Sequence, residues 1–283
     1  MSEIKEIIVC GDVKNRVFIA DCDADWTNEK NIKWQWSPKD ALDLSTEEKE
    51  LFINIDECKP VLNLTHILIT ASYKGGIALI EKSTKKVKFL AKGVNAHSAE
   101  LLPDGNIAAA LSGGGDAVKV HCTLPGSGIS VSDPLKWGHG LVWDKKRELL
   151  WALGKDEIRS YKYNMQRNDP KITLQKSYKI PGKCGHELFA RAGKDSLFFT
   201  EETGVFEFNV ETGKISEFSS VKGSVKSFCE NAPDGRIVYQ KAAVGNGCYW
   251  NEKLYFLNPS SENILPGERF YKARWNMVNE FSY

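Results

Sequence analysis

At 283 residues, 42% hydrophobic and 11% aromatic, the chain is long enough to bury one large core or two small ones. Its 38 Lys and Arg stand against 37 Asp and Glu, which argues against a surface that attracts nucleic acid by bulk charge. Seven scattered cysteines without a C-x-x-C pair suggest neither a disulfide framework nor a thiolate zinc site.

The chain opens with EIIVCGD, RVFIADCD and NIKWQWS, three short strands rich in Val, Ile, Phe and Trp. The apolar run Ile7, Ile8, Val9 is far too short for a signal peptide or a membrane span, so a cytoplasmic protein without a membrane partner is expected. Trp34 and Trp36 alternate as one face of an outer strand should. Residues 38–51, PKDALDLSTEEKEL, form the one helix-like stretch, with Ser45 placed to cap Thr46 onward. From HILITAS at 66 to KLYFLNP at 253, strand-like runs follow one another, separated by turns such as Pro103-Asp104-Gly105, Thr212-Gly213 and Pro233-Asp234-Gly235. The reading is all-β, with no Pro- or Ser-rich linker, hence a single domain over 1–283.

Within that run a repeat is visible. HSAELLPDGNIAAALS aligns with HGLVWDKKRELLWALG, HELFARAGKDSLFFTEE and KSFCENAPDGRIVYQKA, so that His97, His139, His186 and Lys226 follow one another at 42, 47 and 40 residues. Asp56 or Glu57 starts an earlier copy, and Lys272 in ERFYKARWN a later one. Steps of this length, each with about four strands, are the spacing of β-propeller blades. Six anchors give six blades. The last has a single strand, and the N-terminus supplies three, so the termini are expected to complete one blade together and leave no open sheet edge. A seven-bladed ring and two successive β domains are the alternatives.

In a propeller, the starts of inner strands and the loops after second strands meet at one channel mouth. That face is expected to carry Asp56, Glu57, Lys59, His97, Glu100, His139, His186, Glu187, Lys226, Glu230, Lys272 and Arg274, with the loops SYKGG, LSGGGD and AVGNG (243–247). Three histidines at equivalent positions of successive blades suit a divalent Zn, Mn or Fe site with open positions. Lys59, Lys272 and Arg274, with Glu57 and Glu187, would bind an anionic substrate, or the cations would pair with Asp56, Glu57 and Glu230 as inter-blade salt bridges. Glu100 or Lys226 would move a proton. The structural alternative is a Gly-His of the WD type, which Gly138-His139 and Gly185-His186 match, with the imidazole turned into the blade. His66 and His121 read as structural. Trp137, Trp250 and Trp275 are placed near the same face for stacking. LSGGGD lacks the Lys and the following helix of a P-loop, so no nucleotide or organic cofactor is expected.

DECKPVLN, HILITASYKGGIALIEKSTKKVKFLA, AHSAELLPDGNI and RFYKARWN together resemble an uncharacterised family of bacterial β-propeller proteins, classed only as a domain of unknown function. That resemblance implies the fold and no reaction. A weaker similarity, by blade position alone, is to oligogalacturonate-lyase-type propellers, which implies a divalent metal on His97, His139 and His186. The expectation is a monomeric, metal-assisted enzyme acting on a carbohydrate or other small anionic substrate by elimination or hydrolysis. A non-catalytic propeller binding a glycan or peptide, and a protein-interaction scaffold, are its rivals.

Overall fold

Six antiparallel sheets of four strands each make up a computed structural model that describes residues 4–11, 13–243 and 249–283. Five are built from consecutive strands, and their inner strands are Ile55–Val61, Ala96–Leu101, Gly140–Asp144, Glu187–Ala190 and Val225–Glu230. The sixth takes its inner strand, Lys272–Trp275, from the C-terminal end and pairs it with Glu6–Cys10, Val17–Asp21 and Ile32–Trp36 from the N-terminal end. Ile7 lies opposite Trp275 and Cys10 opposite Lys272. This is the six-bladed propeller, closed as the strand count requires.

Blades pack face to face, so second strands are apolar on both faces and inner strands are buried along nearly their whole length. Ile107–Leu111, IAAAL, is buried at every position, the continuous apolar pattern of a strand covered on both sides. Between the sixth and first blades, Ile8, Val17, Ile19 and Trp36 meet Ile67, Ile69, Ala78 and Ile80. Trp34 Nε1 donates to Lys82 O across the same junction at 2.9 Å.

The helix-like stretch resolves into a 3₁₀ turn, Pro38–Asp40, and a short α-helix, Thr46–Glu50. Ser45 caps that helix in a capping box: Glu48 N donates to Ser45 Oγ, and Ser45 N to Glu48 Oε2 at 2.7 Å. Four outer strands escape the sequence reading: Ser130–Pro134, Ile172–Lys179, Ile215–Lys222 and Ser261–Ile264. Among the described residues no helix is long and apolar enough to cross a membrane.

Candidate functional site

Each inner strand begins with one residue that does not follow the strand's alternation. In the first, second and fifth blades the ladder skips Asp56, His97 and Lys226, each bulged out between its neighbours. In the third, fourth and sixth blades the same position falls just before the strand. There the amides of His139, His186 and Tyr271 reach the second strand at Leu153 O (2.9 Å), Thr200 O (2.9 Å) and Cys10 O (3.1 Å). A bulge turns its extra side chain out of the sheet plane. Asp56, His97, His139, His186, Lys226 and Tyr271 therefore ring the channel mouth, one from each blade. Asn54, Asn95 and Trp137, each two residues earlier, have φ of 57°, 55° and 49°. In Asn95 and Trp137 that left-handed step aims the carbonyl at the histidine two residues on.

The histidines answer the question of direction: all three line the mouth. The His97 and His139 ring centres are 4.2 Å apart, and those of His139 and His186 5.4 Å. His97 Nδ1 lies 3.2 Å from Asn95 O and His139 Nδ1 2.9 Å from Trp137 O. A carbonyl only accepts, so each Nδ1 carries the hydrogen and each Nε2 keeps a lone pair. Burial pushes His97 down to about 3, and burial together with His97 takes His139 well below the ordinary imidazole range. Both are neutral at pH 7.

His186 departs from this pattern. Cys184, two residues before it, lacks the left-handed step, and His186 Nδ1 has no hydrogen-bond partner among the described residues. Its Nε2 instead sits 2.7 Å from Lys226 Nζ and 2.8 Å from Glu202 Oε1. The nitrogen cannot accept from the ammonium and donate to the carboxylate at once. Either Nε2 accepts from the charged Lys226, or Nε2 carries a hydrogen and donates to Glu202, as the neutral tautomer or, after transfer from Lys226, as the imidazolium. Burial lowers Lys226 to about 8, while Glu202 is held at about 2, chiefly by its bond to His186. On the opposite side of the ring, burial raises the Asp56 carboxyl to about 7 against the amide of Ser72 that bonds it.

Among the described residues, no group of three or more His, Cys, Asp or Glu side chains stands in an arrangement that could hold a metal ion. The physical reason is Lys226: its Nζ occupies the Nε2 of the third imidazole, so the trio does not offer a cation three lone pairs. The arrangement present does not fit the metal that the lyase-type resemblance implies.

Directly beneath the mouth the channel is filled. Glu57, Lys59, Glu100, Glu187, Lys272 and Arg274 are at most 3% exposed and bond one another. Arg274 grips Glu57 through Nε–Oε1 (2.8 Å) and Nη2–Oε2 (2.9 Å), and reaches Glu187 at 3.1 Å. Lys272 Nζ lies 3.4 Å from Glu57 and 3.7 Å from Glu187. Lys59 Nζ bonds Glu100 at 2.8 Å and Leu141 O at 2.6 Å. Burial alone would raise the Glu57 carboxyl, but Arg274, Lys272 and Lys59 outweigh it and hold it at about 2. Three carboxylates thus face three cations. The Tyr283 hydroxyl donates to Glu100 from below, and Ser282 Oγ to Trp143 O at 2.7 Å.

Above this plug is a pocket of about 590 Å³. Trp137, Tyr249, Trp250 and Tyr271 supply aromatic wall, and Ser72, Asn95 and Ser112 polar edges. Three cations lie over those rings: Lys155 over Trp137 at 4.4 Å, Arg269 over Trp250 at 5.2 Å and, from the buried side, Lys226 over Tyr249 at 5.2 Å. No described carboxylate pairs with Lys155 or Arg269.

A model described as a family of unknown function, DUF6528, matches residues 3–283. The chain belongs to that family. No curated protein matches it. The fold is similar to that of a protein of unknown function from Bacteroides caccae, at 13% identity and TM-score 0.62 over 96% of this chain and 98% of that one. It is also similar to a functionally unknown protein from Desulfotomaculum acetoxidans (9% identity, TM-score 0.51, 89% and 92% covered). Kuenenia stuttgartiensis hydrazine synthase matches at 13% identity and TM-score 0.50, over 72% of this chain and 64% of that one. At such identities the likeness is one of fold alone.

Against this DUF6528 structure, His97, His139, His186 and Lys226 stand together at the mouth, while six other residues expected to act there do not. Lys59, Glu57, Lys272, Arg274 and Glu187, expected to touch substrate, lie in the plug, because they are one or three places past the bulge and point down the axis. Glu100, expected to move a proton, is pinned there between Lys59 and Tyr283. The sixth mouth position belongs to Tyr271, one residue before Lys272. Trp275 is buried at the far end of its strand, against Phe256 and Arg236. The loops SYKGG and LSGGGD do reach the pocket, through Ser72 and Ser112-Gly113; residues 244–247 of AVGNG lie outside the described residues. Sequence reasoning missed Glu202, Tyr271, Lys155 and Arg269. Glu202 was findable, since it follows the second strand of its blade as those loops do. His66 bonds its neighbour Thr65, and His121 packs edge-on against Phe89, both away from the mouth.

Proposed function

We propose that the mouth pocket of this DUF6528 protein binds a sugar acid and removes a proton from it through Lys226 and His186. The observation that carries the reading is the Lys226–His186–Glu202 contact, in which the buried Lys226 stands behind two residues that line a pocket flanked by Lys155 and Arg269, neither paired with a described carboxylate. Arg269 and Lys155 take the ligand's acid group. The aromatic wall takes the flat face of a sugar ring, and the Nε2 lone pairs of His97 and His139 accept from its hydroxyls. Lys226, lowered to about 8, is close enough to neutrality to act as a base at physiological pH. Proton removal beside an acid group is the first step of an elimination.

Calorimetric titration with D-galacturonate, D-glucuronate and their oligomers, against neutral galactose, tests it. The acids should bind at least about tenfold more tightly than galactose, and Arg269→Ser should erase that preference. Equal binding of neutral and acidic sugars, or no heat from any acid, would overturn the reading.

A further inference from the structure

Lys226 differs from every other lysine at the channel. Lys59 and Lys272 are bonded to plug carboxylates, whereas Lys226 has as its nearest partner a neutral imidazole and a carboxylate only at 3.7 Å. Its side chain is 1% exposed, yet the residues around its Nζ, His186, Glu202 and Tyr249, all line the pocket. When the proton passes from Nζ to His186 Nε2, the imidazolium is met by Glu202 at 2.8 Å and an amine with a free lone pair is left beside the pocket. A buried amine next to a proton acceptor and facing a ligand cavity is the arrangement of a nitrogen nucleophile.

We propose that Lys226 forms an imine with the carbonyl carbon of an aldehyde- or ketone-bearing sugar acid held in the mouth pocket. This rests on the sugar-acid reading for the ligand's class, and on the Lys226–His186–Glu202 geometry for the bond. The Nζ lone pair attacks the carbonyl carbon, a C–N bond forms and the C=O π pair moves to oxygen. His186 returns to that oxygen the proton it took from the ammonium. A second proton leaves nitrogen for the same oxygen by the same imidazole, the C–O bond breaks, and one water departs as C=N forms. Charge is conserved, from ammonium to iminium, and no oxidant or reductant enters. Lys226 then has the covalent role and His186 moves the protons.

The test is reductive trapping on the intact protein with D-galacturonate and, separately, pyruvate, each with sodium cyanoborohydride, followed by peptide mapping. Lys226 should be labelled at least about tenfold faster than the exposed Lys146 and Lys179. Lys226→Met should lose that label. Mapping of the wild type stands by itself if the variant fails to fold. Labelling confined to exposed lysines, with the Lys226 peptide unmodified, overturns the proposal. Sugar-acid binding without a Lys226 adduct removes the imine and leaves the pocket reading intact; a Lys226 adduct from pyruvate without sugar-acid binding keeps the imine and removes the sugar acid.

Discussion

Burial lowers the proton affinity of His97, His139 and His186, and the folded protein carries this as sensitivity to acid. In the unfolded chain an imidazole takes its proton near pH 6.5, whereas folded His97 resists until about 3, with His139 and His186 shifted the same way. Between those limits the unfolded state binds more protons, so stability falls as pH drops below 6.5. Asp56 works against this: its folded carboxyl keeps a proton up to about 7, so it favours the folded state as pH falls from 7 toward 3.8. Glu100, also raised by burial, acts as Asp56 does, but His121, lowered to about 4, joins the three imidazoles, and together the imidazoles outweigh the two carboxyls. The thermal midpoint should fall by roughly 10 °C between pH 7 and pH 5, and a His97→Asn/His139→Asn variant should flatten that slope. A flat wild-type profile would mean that the imidazoles are hydrated. This much was legible from sequence, since equal spacing marked the histidines. Glu202 could have been placed by the same topology, since it follows a second strand, but no repeat marks it as equal spacing marks the histidines.

At the scale of the strand, the bulge decides which residues are functional. It adds one residue to an alternating pattern, and an alternating pattern read without it assigns every later side chain to the wrong place. That is why Lys272 stood in for Tyr271, and why Glu57, Lys59 and Arg274 were expected at the surface. The residue after the bulge faces the axis, and in five blades it is Glu57, Ser98, Glu187, Ser227 or Lys272. In the third it is Gly140, where a Cβ would sit 2.5 Å from Leu188 Cβ and 2.7 Å from Leu188 N. Gly140→Ala should therefore cost about 1–3 kcal/mol in urea unfolding, whereas no loss would show that the fourth blade can retreat. Inner strands were readable because both faces are buried. Outer strands such as Ile172–Lys179, ITLQKSYK, are mostly exposed and polar, and carry no apolar alternation to read.

Taken whole, the ring is tied at its edge by a strand pairing and at its axis by the plug. The edge was legible by counting: one strand at the C-terminal end and three at the N-terminal end make a blade. The axis was not, because nothing in the residue types separates a charged group that meets solvent from one that meets its opposite across the channel. Arg274 joins the first, fourth and sixth blades through Glu57 and Glu187. Arg274→Met should leave two buried carboxylates without it and cost about 3–5 kcal/mol, measured by urea denaturation. Adding Glu57→Gln and Glu187→Gln should recover part of that loss; a single variant as stable as wild type would show that the network is hydrated.

Because the plug and Tyr283 fill the axis below the mouth, the pocket has one door. A polymer cannot thread through it, and whatever is bound must back out the way it came. A sugar acid bound as proposed would therefore enter and leave on the same side of the ring.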